Sequence, residues 1–144
     1  MFFSLLLALA GLQDAPAPLT ITVKEVRVAE GPLYLMVQTR DQFMGPQATV
    51  TRIVPVDAPG DETVTVELPA GTYALMVWHD LDNDHEFDRT ERGMPLDGWA
   101  MSIDGPMTGP PSFEGAKFDV GADGAEVAVL MHYPGAAPDI TDMQ

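Results

Sequence analysis

The stretch "HDLDNDHEFDRTE", residues 79–91, carries Asp80, Asp82, Asp84, Glu86, Asp88 and Glu91, with Arg89 as its one arginine or lysine. Carboxylates at alternate positions are hard oxygen donors, the ligands that Ca2+ takes in shells of about six to eight oxygens. Set against the calcium-loop pattern D-x-[DN]-x-[DN]-G-x5-E, Asp80, Asp82 and Asp84 fill the first, third and fifth places and Glu91 the twelfth. Asp88 stands at the ninth place, and Glu86 offers its carbonyl at the seventh. The glycine of the pattern is replaced by His85, at a place that needs positive φ; histidine enters that region more readily than most side chains, at a cost. Without an ion these carboxylates repel one another, and Ca2+ would relieve the repulsion and order the loop. Asp80, Asp82, Asp84, Glu86, Asp88 and Glu91 are therefore the candidate metal ligands. Two other readings stand beside this one: a merely solvated acidic loop, and a transition-metal site drawing nitrogen ligands from His79 and His85.

The elements that must hold this loop read as strands. After residue 18 no segment keeps a 3.6-residue apolar period over three turns, whereas alternation with β-branched residues recurs. In "LTITVKEVRVAE" the apolar parity changes between Ile21/Val23 and Val26/Val28, which predicts a bulge near Lys24. "PLYLMVQTR" follows a Gly31-Pro32 turn, and "ATVTRIVPV" alternates weakly, as an edge strand limited by Pro55 does. "ETVTVELP" turns Val64, Val66 and Leu68 inward. "AGTYALMVWH" is apolar on both parities and suits a central strand covered on both faces. From Met94 to Pro111 prolines and glycines predict a long loop with one short strand around Trp99. "AKFDV" and "AEVAVLMHY" flank "GADG", the signal of a hairpin. The fold class expected is all-β, a β-sandwich of about seven strands with one long loop.

Composition narrows the partners. Seven basic against 22 acidic residues give a formal charge of −15, which repels phosphate backbones and anionic lipid head groups, so neither nucleic acid nor an anionic membrane surface is expected. The absence of cysteine excludes disulfides, thiolate nucleophiles and zinc-cysteine sites. The length suits one domain. "MFFSLLLALAGL", with Ala8-Leu9-Ala10 of small-x-small form, reads as an export signal over residues 1–10, although no Lys or Arg precedes the apolar run. Residues 11–18 then form a proline-extended spacer, 19–134 the sandwich and 135–144 a flexible tail, with a periplasmic or secreted location.

"LPAGTYALMVWHDLDNDHEFD", "GMPLDGWAMS" and "GPPSFEGAKFDV" together resemble the bacterial family known as domain of unknown function 2141, over roughly residues 20 to 133. The resemblance implies an exported, immunoglobulin-like or transthyretin-like sandwich of unassigned activity. The chain has Asp82 and Asp84 where that family often has asparagine, His85 where it often has glycine, and Asp97 where it often has glutamate.

Enzyme chemistry has little to build on. Ser102 and Ser112 lie in no G-x-S-x-G elbow, and spacing assigns no acid partner to His79 or His132. Asp80 and Asp97 have the residue types of a glycosidase pair, but sequence does not give their separation. Trp78 and Tyr133, on strands, are expected in the core, and the loop around Trp99 is the candidate surface for a protein or glycan partner. The expectation is an exported, non-catalytic binding or structural module with a calcium-holding acidic loop. The alternatives are a hydrolase of the transthyretin-like kind or a metalloenzyme using His79 and His85, and a structural envelope protein without ligand.

Overall fold

The computed structural model describes residues 15–87, 89, 91–92, 96–103 and 110–133. The expected export signal, the C-terminal tail and Asp88 lie outside the described residues. Two sheets make the all-β architecture. One has the order β4-β1-β8, built from β1 (Ala17–Val26), β4 (Gly60–Leu68) and β8 (Ala125–Leu130). The other has the order β3-β2-β5-β6, from β2 (Leu33–Gln38), β3 (Val50–Val54), β5 (Gly71–His79) and β6 (Gly98–Met101), with β7 (Phe118–Val120) also paired to β5. Among the described residues there is one four-residue helix, α1 (Phe113–Ala116), capped by the Ser112 hydroxyl accepting from the Gly115 N–H. Among the described residues no helix is long and apolar enough to cross a membrane.

Alternation decides what each strand buries. Ala17, Leu19, Ile21 and Val23 of β1 are fully buried, and so are Leu33, Leu35 and Val37 of β2 or nearly so. The parity change in β1 is resolved as the sequence requires. Val23 pairs with Glu62 and Val26 with Gly60, so β1 takes three steps against two on β4. The extra residue forms a bulge, with Glu25 at φ 59, and it returns Val26 to the core at 1% exposure. Ala17 and Pro18, placed in the spacer by the sequence reading, already belong to β1 opposite Leu68 and Glu67.

The central strand is covered on both faces. Tyr73, Leu75, Val77 and His79 of β5 face the other sheet, while Ala74 joins Met101, Phe113 and Ala116 in a second apolar cluster. Strand β3 is the edge that its weak alternation suggested. The expected hairpin around "GADG" is not one. Gly121 and Gly124 bridge across the turn, but β7 leaves to pair antiparallel with β5 and β8 to pair parallel with β1. The turn therefore joins the two sheets. Trp78 is the second correction: it stands on the outer face of its sheet, half-buried, because its inward neighbours Val77 and His79 take the alternating core positions open to the strand there.

Core position should dominate stability. Leu75→Ala is expected to lower the free energy of unfolding in urea by about 2–5 kcal/mol, whereas Val28→Ala, at a site 57% exposed, should stay within about 0.5 kcal/mol.

Candidate metal centre

The end of β5 sets the site. The last residue of β5, His79, pairs with Gly98, the first of β6, so Asp80 and Asp97 emerge from the sheet directly beside each other. The Asp80 N–H donates to the Pro32 carbonyl at 3.1 Å, holding the strand end against the β1–β2 connection. That connection needs Gly31, because a Cβ there would lie 2.1 Å from the Asp80 carbonyl oxygen.

Beyond Asp80 the chain turns tightly around its own carboxylates. The Asp80 carboxylate accepts from the N–H groups of Asp84 at 3.2 Å and His85 at 2.9 Å. The Asp84 carboxylate accepts from the Glu86 N–H at 3.0 Å, an Asx-type turn. Asn83 and His85 adopt φ values of 57 and 67, so the histidine occupies the left-handed conformation that the missing glycine would have taken. The Asp97 carboxylate closes the arrangement, accepting from the Leu81 N–H at 3.2 Å and the Trp78 indole N–H at 3.0 Å.

The result is a group of four aspartates, Asp80, Asp82, Asp84 and Asp97, whose ligand atoms all lie within 4.8 Å of one another and could hold a metal ion. Asp80 and Asp97 are buried at 0% and 2% exposure; Asp82 and Asp84 are exposed. The Asp82 carboxyl is held above the usual aspartate range, first by loss of hydration and then by hydrogen bonding and repulsion from Asp84, with Asp80 adding to it. Of the residues singled out in the sequence, the fold brings Asp80, Asp82 and Asp84 together. Glu86 and Glu91, both outside the buried interior, are not members of this group. Asp97 is the member that the linear pattern left out of the ligand set. The signal for it is the strand pairing, since a residue preceding β6 in antiparallel register necessarily meets one following β5.

Histidine does not take part in the way the transition-metal reading requires. The His79 ring is fully buried on the core side, with Nδ1 2.8 Å from the Tyr133 hydroxyl and Nε2 3.1 Å from the Gly31 carbonyl. Both ring nitrogens are thus engaged away from the aspartates. Tyr133 is in the core, as expected, and its ring lies where a Cβ on Gly98 would reach it at 2.5 Å. Burial pushes the His79 pKa down, against smaller opposing effects of the Gly31 carbonyl and of Asp97 and Asp80. His85, on the surface, places Nδ1 3.2 Å from the Tyr34 hydroxyl and 4.0 Å from the Asp80 carboxylate.

An aromatic row lies against the site on the outer face of the sheet. Tyr34 pairs with Trp78, Trp78 with Trp99, and Trp99 bridges to His132. The Tyr34 and Trp78 rings stack with centroids 4.4 Å apart, and Phe87, from the acidic loop, meets Trp78 edge-on at 6.1 Å. Trp99 lies in β6, the short strand expected around it, and is half-buried beside His132. The serines are structural: the Ser102 hydroxyl accepts from the Leu75 N–H and donates to the Ala116 carbonyl at 2.6 Å.

Comparison with known proteins gives one result. The model of the family described as "Uncharacterized protein conserved in bacteria (DUF2141)" matches residues 21–128. No curated protein matches the chain, and no solved structure does.

Two outcomes follow from the buried histidine. Tyr133→Phe should cost about 1–3 kcal/mol in urea unfolding, because it leaves the His79 ring and the Arg27 N–H without their buried partner. Because the folded-state pKa of His79 is depressed, the unfolded chain binds the extra proton, and stability should fall as pH drops below about 6.5. The fall continues down to the folded-state pKa. His79→Gln, compared with the parent between about pH 7 and 5, should remove this part of the slope.

Proposed function

The chain belongs to the DUF2141 family of bacterial proteins, and on that premise we propose that it is an exported, non-catalytic module whose acidic loop holds Ca2+. The observation that carries this reading is the convergence of the Asp80, Asp82, Asp84 and Asp97 ligand atoms within 4.8 Å of one another. An all-oxygen donor set suits a hard cation, and Ca2+ tolerates an irregular shell better than Mg2+, which demands near-octahedral geometry. The engagement of both His79 nitrogens elsewhere favours this over zinc or copper. His85 at φ 67 supports the calcium-loop comparison, since the backbone makes the turn the pattern assigns to glycine.

The ion's role in this reading is to unite the strand ends with the loop. Asp80 follows β5 and Asp97 precedes β6, while Asp82 and Asp84 come from the turn itself. A cation among them neutralises carboxylates from two pieces of chain and fixes their spacing. Through the Trp78 indole bonded to Asp97, and through Phe87 on Trp78, the same ion steadies the aromatic row. Export fits the apolar N-terminal run and a cysteine-free, acidic composition, in which Ca2+ at extracellular levels is the available partner.

Calcium at about 100 times its dissociation constant should add about 2.7 kcal/mol of stability, read as a rise in Tm that chelator reverses. Titration should also change Trp78 fluorescence, because its indole N–H shares the Asp97 carboxylate. Asp80→Asn and Asp97→Asn should each remove the response, whereas Glu91→Gln, outside the group of four, should retain it. A wild-type Tm unmoved by Ca2+ up to about 10 mM would leave a structural protein without the ion.

A further inference from the structure

A cavity of about 490 Å3 opens at the end of the sandwich where the β1–β2 connection faces the acidic loop. Its walls include Arg27, Val28, Glu30, Leu81, Asp82 and Tyr133. The volume lies within the range of about 300–1,000 Å3 usual for small-molecule sites. We propose that this cavity binds a small zwitterion of the amino-acid kind, with its carboxylate on Arg27, its ammonium on Glu30, and an apolar body on Val28 and Leu81.

Arg27 is the one basic residue among those lining the cavity. In a chain of formal charge −15 a guanidinium has many carboxylates to choose from, and Arg40 and Lys117 both take Glu114. Among the described residues Arg27, like Lys24 and Arg52, is in no such ion pair. Its guanidinium carbon instead sits 4.7 Å from the centre of the Tyr133 ring. That ring is fixed from behind, since the Tyr133 hydroxyl accepts from the Arg27 backbone N–H at 3.0 Å and meets His79 Nδ1 at 2.8 Å. A guanidinium lying over an aromatic face can offer its N–H edges to a carboxylate through two parallel hydrogen bonds. A second cavity of about 600 Å3 is also lined by Arg27 and Tyr133.

The remaining lining selects the rest of the ligand. A simple anion would meet Glu30 and Asp82 and be repelled by them; a group with a positive charge beside its carboxylate would not. The Glu30 N–H donates to the Leu81 carbonyl at 3.3 Å, which ties the two sides of the cavity together. Val28, 57% exposed, has an apolar face that such a ligand would cover. Of the lining, Asp82 belongs to the aspartate group, whereas Arg27, Glu30 and Val28, which would meet the ligand's two charges and part of its body, lie outside it.

The test is calorimetric titration of the full chain with leucine, N-acetyl-leucine and leucinamide, each to about 20 mM, first with chelator and then with Ca2+. Leucine should bind in both conditions; N-acetyl-leucine, without the ammonium, and leucinamide, without the carboxylate, should each bind at least about tenfold more weakly. Arg27→Gln should weaken leucine binding by a similar factor, and Arg27→Lys, which keeps the charge and loses the fork, should do so in part, with Tm reporting that both variants fold. Absence of leucine binding overturns the proposal. So does equal binding of N-acetyl-leucine, or unchanged leucine affinity in Arg27→Gln.

Discussion

Two carboxylates, Asp80 and Asp97, lie out of water at the same end of the sheet, and a buried charge is tolerable only when it is hydrogen-bonded or paired. The local structure answers that demand. Backbone N–H groups of Leu81, Asp84 and His85 and the indole of Trp78 all point at these two side chains. The tight turn, the two positive-φ residues and the closeness of β6 to the end of β5 serve the same end. Asp82 and Asp84, on the exposed side, bring their carboxylates to the same place, so that four aspartates share an imbalance of like charge. The cation reading grows from this imbalance.

Behind the carboxylates the requirement is of the opposite kind. His79, one residue earlier, points into the apolar interior, where burial favours its neutral form and Tyr133 and the Gly31 carbonyl engage its two ring nitrogens. Consecutive residues of one strand thus face different dielectrics, as the alternation of a pleated chain requires. Gly31 and Gly98 permit the two environments to be so close, one beside the Asp80 carbonyl and the other beneath the Tyr133 ring.

Much of the architecture is legible in the sequence because alternation is a local signal. The bulge in β1 follows from a change of parity between Val23 and Val26, and the double burial of β5 from apolar residues on both parities. The acidic loop is legible for the same reason, down to the backbone conformation at His85. What fails is whatever depends on partners distant in the chain. The "GADG" turn carries every local mark of a hairpin, but the choice of β5 for β7 and β1 for β8 is made by the sheets. Trp78 is apolar and on a central strand, yet its parity sends it outward to Tyr34. Asp97 enters the aspartate group through a strand register that no spacing rule within residues 79–91 contains.

The parallel pairing of β1 with β8 sets how the molecule meets tension. Leu19 through Lys24 run beside Ala125 through Leu130 in the same direction. Force drawing the start of β1 away from the end of β8 would slide one strand along the other, straining all the rungs between them at once instead of parting them singly. A domain stitched in this way is stiffest along the line joining those two points.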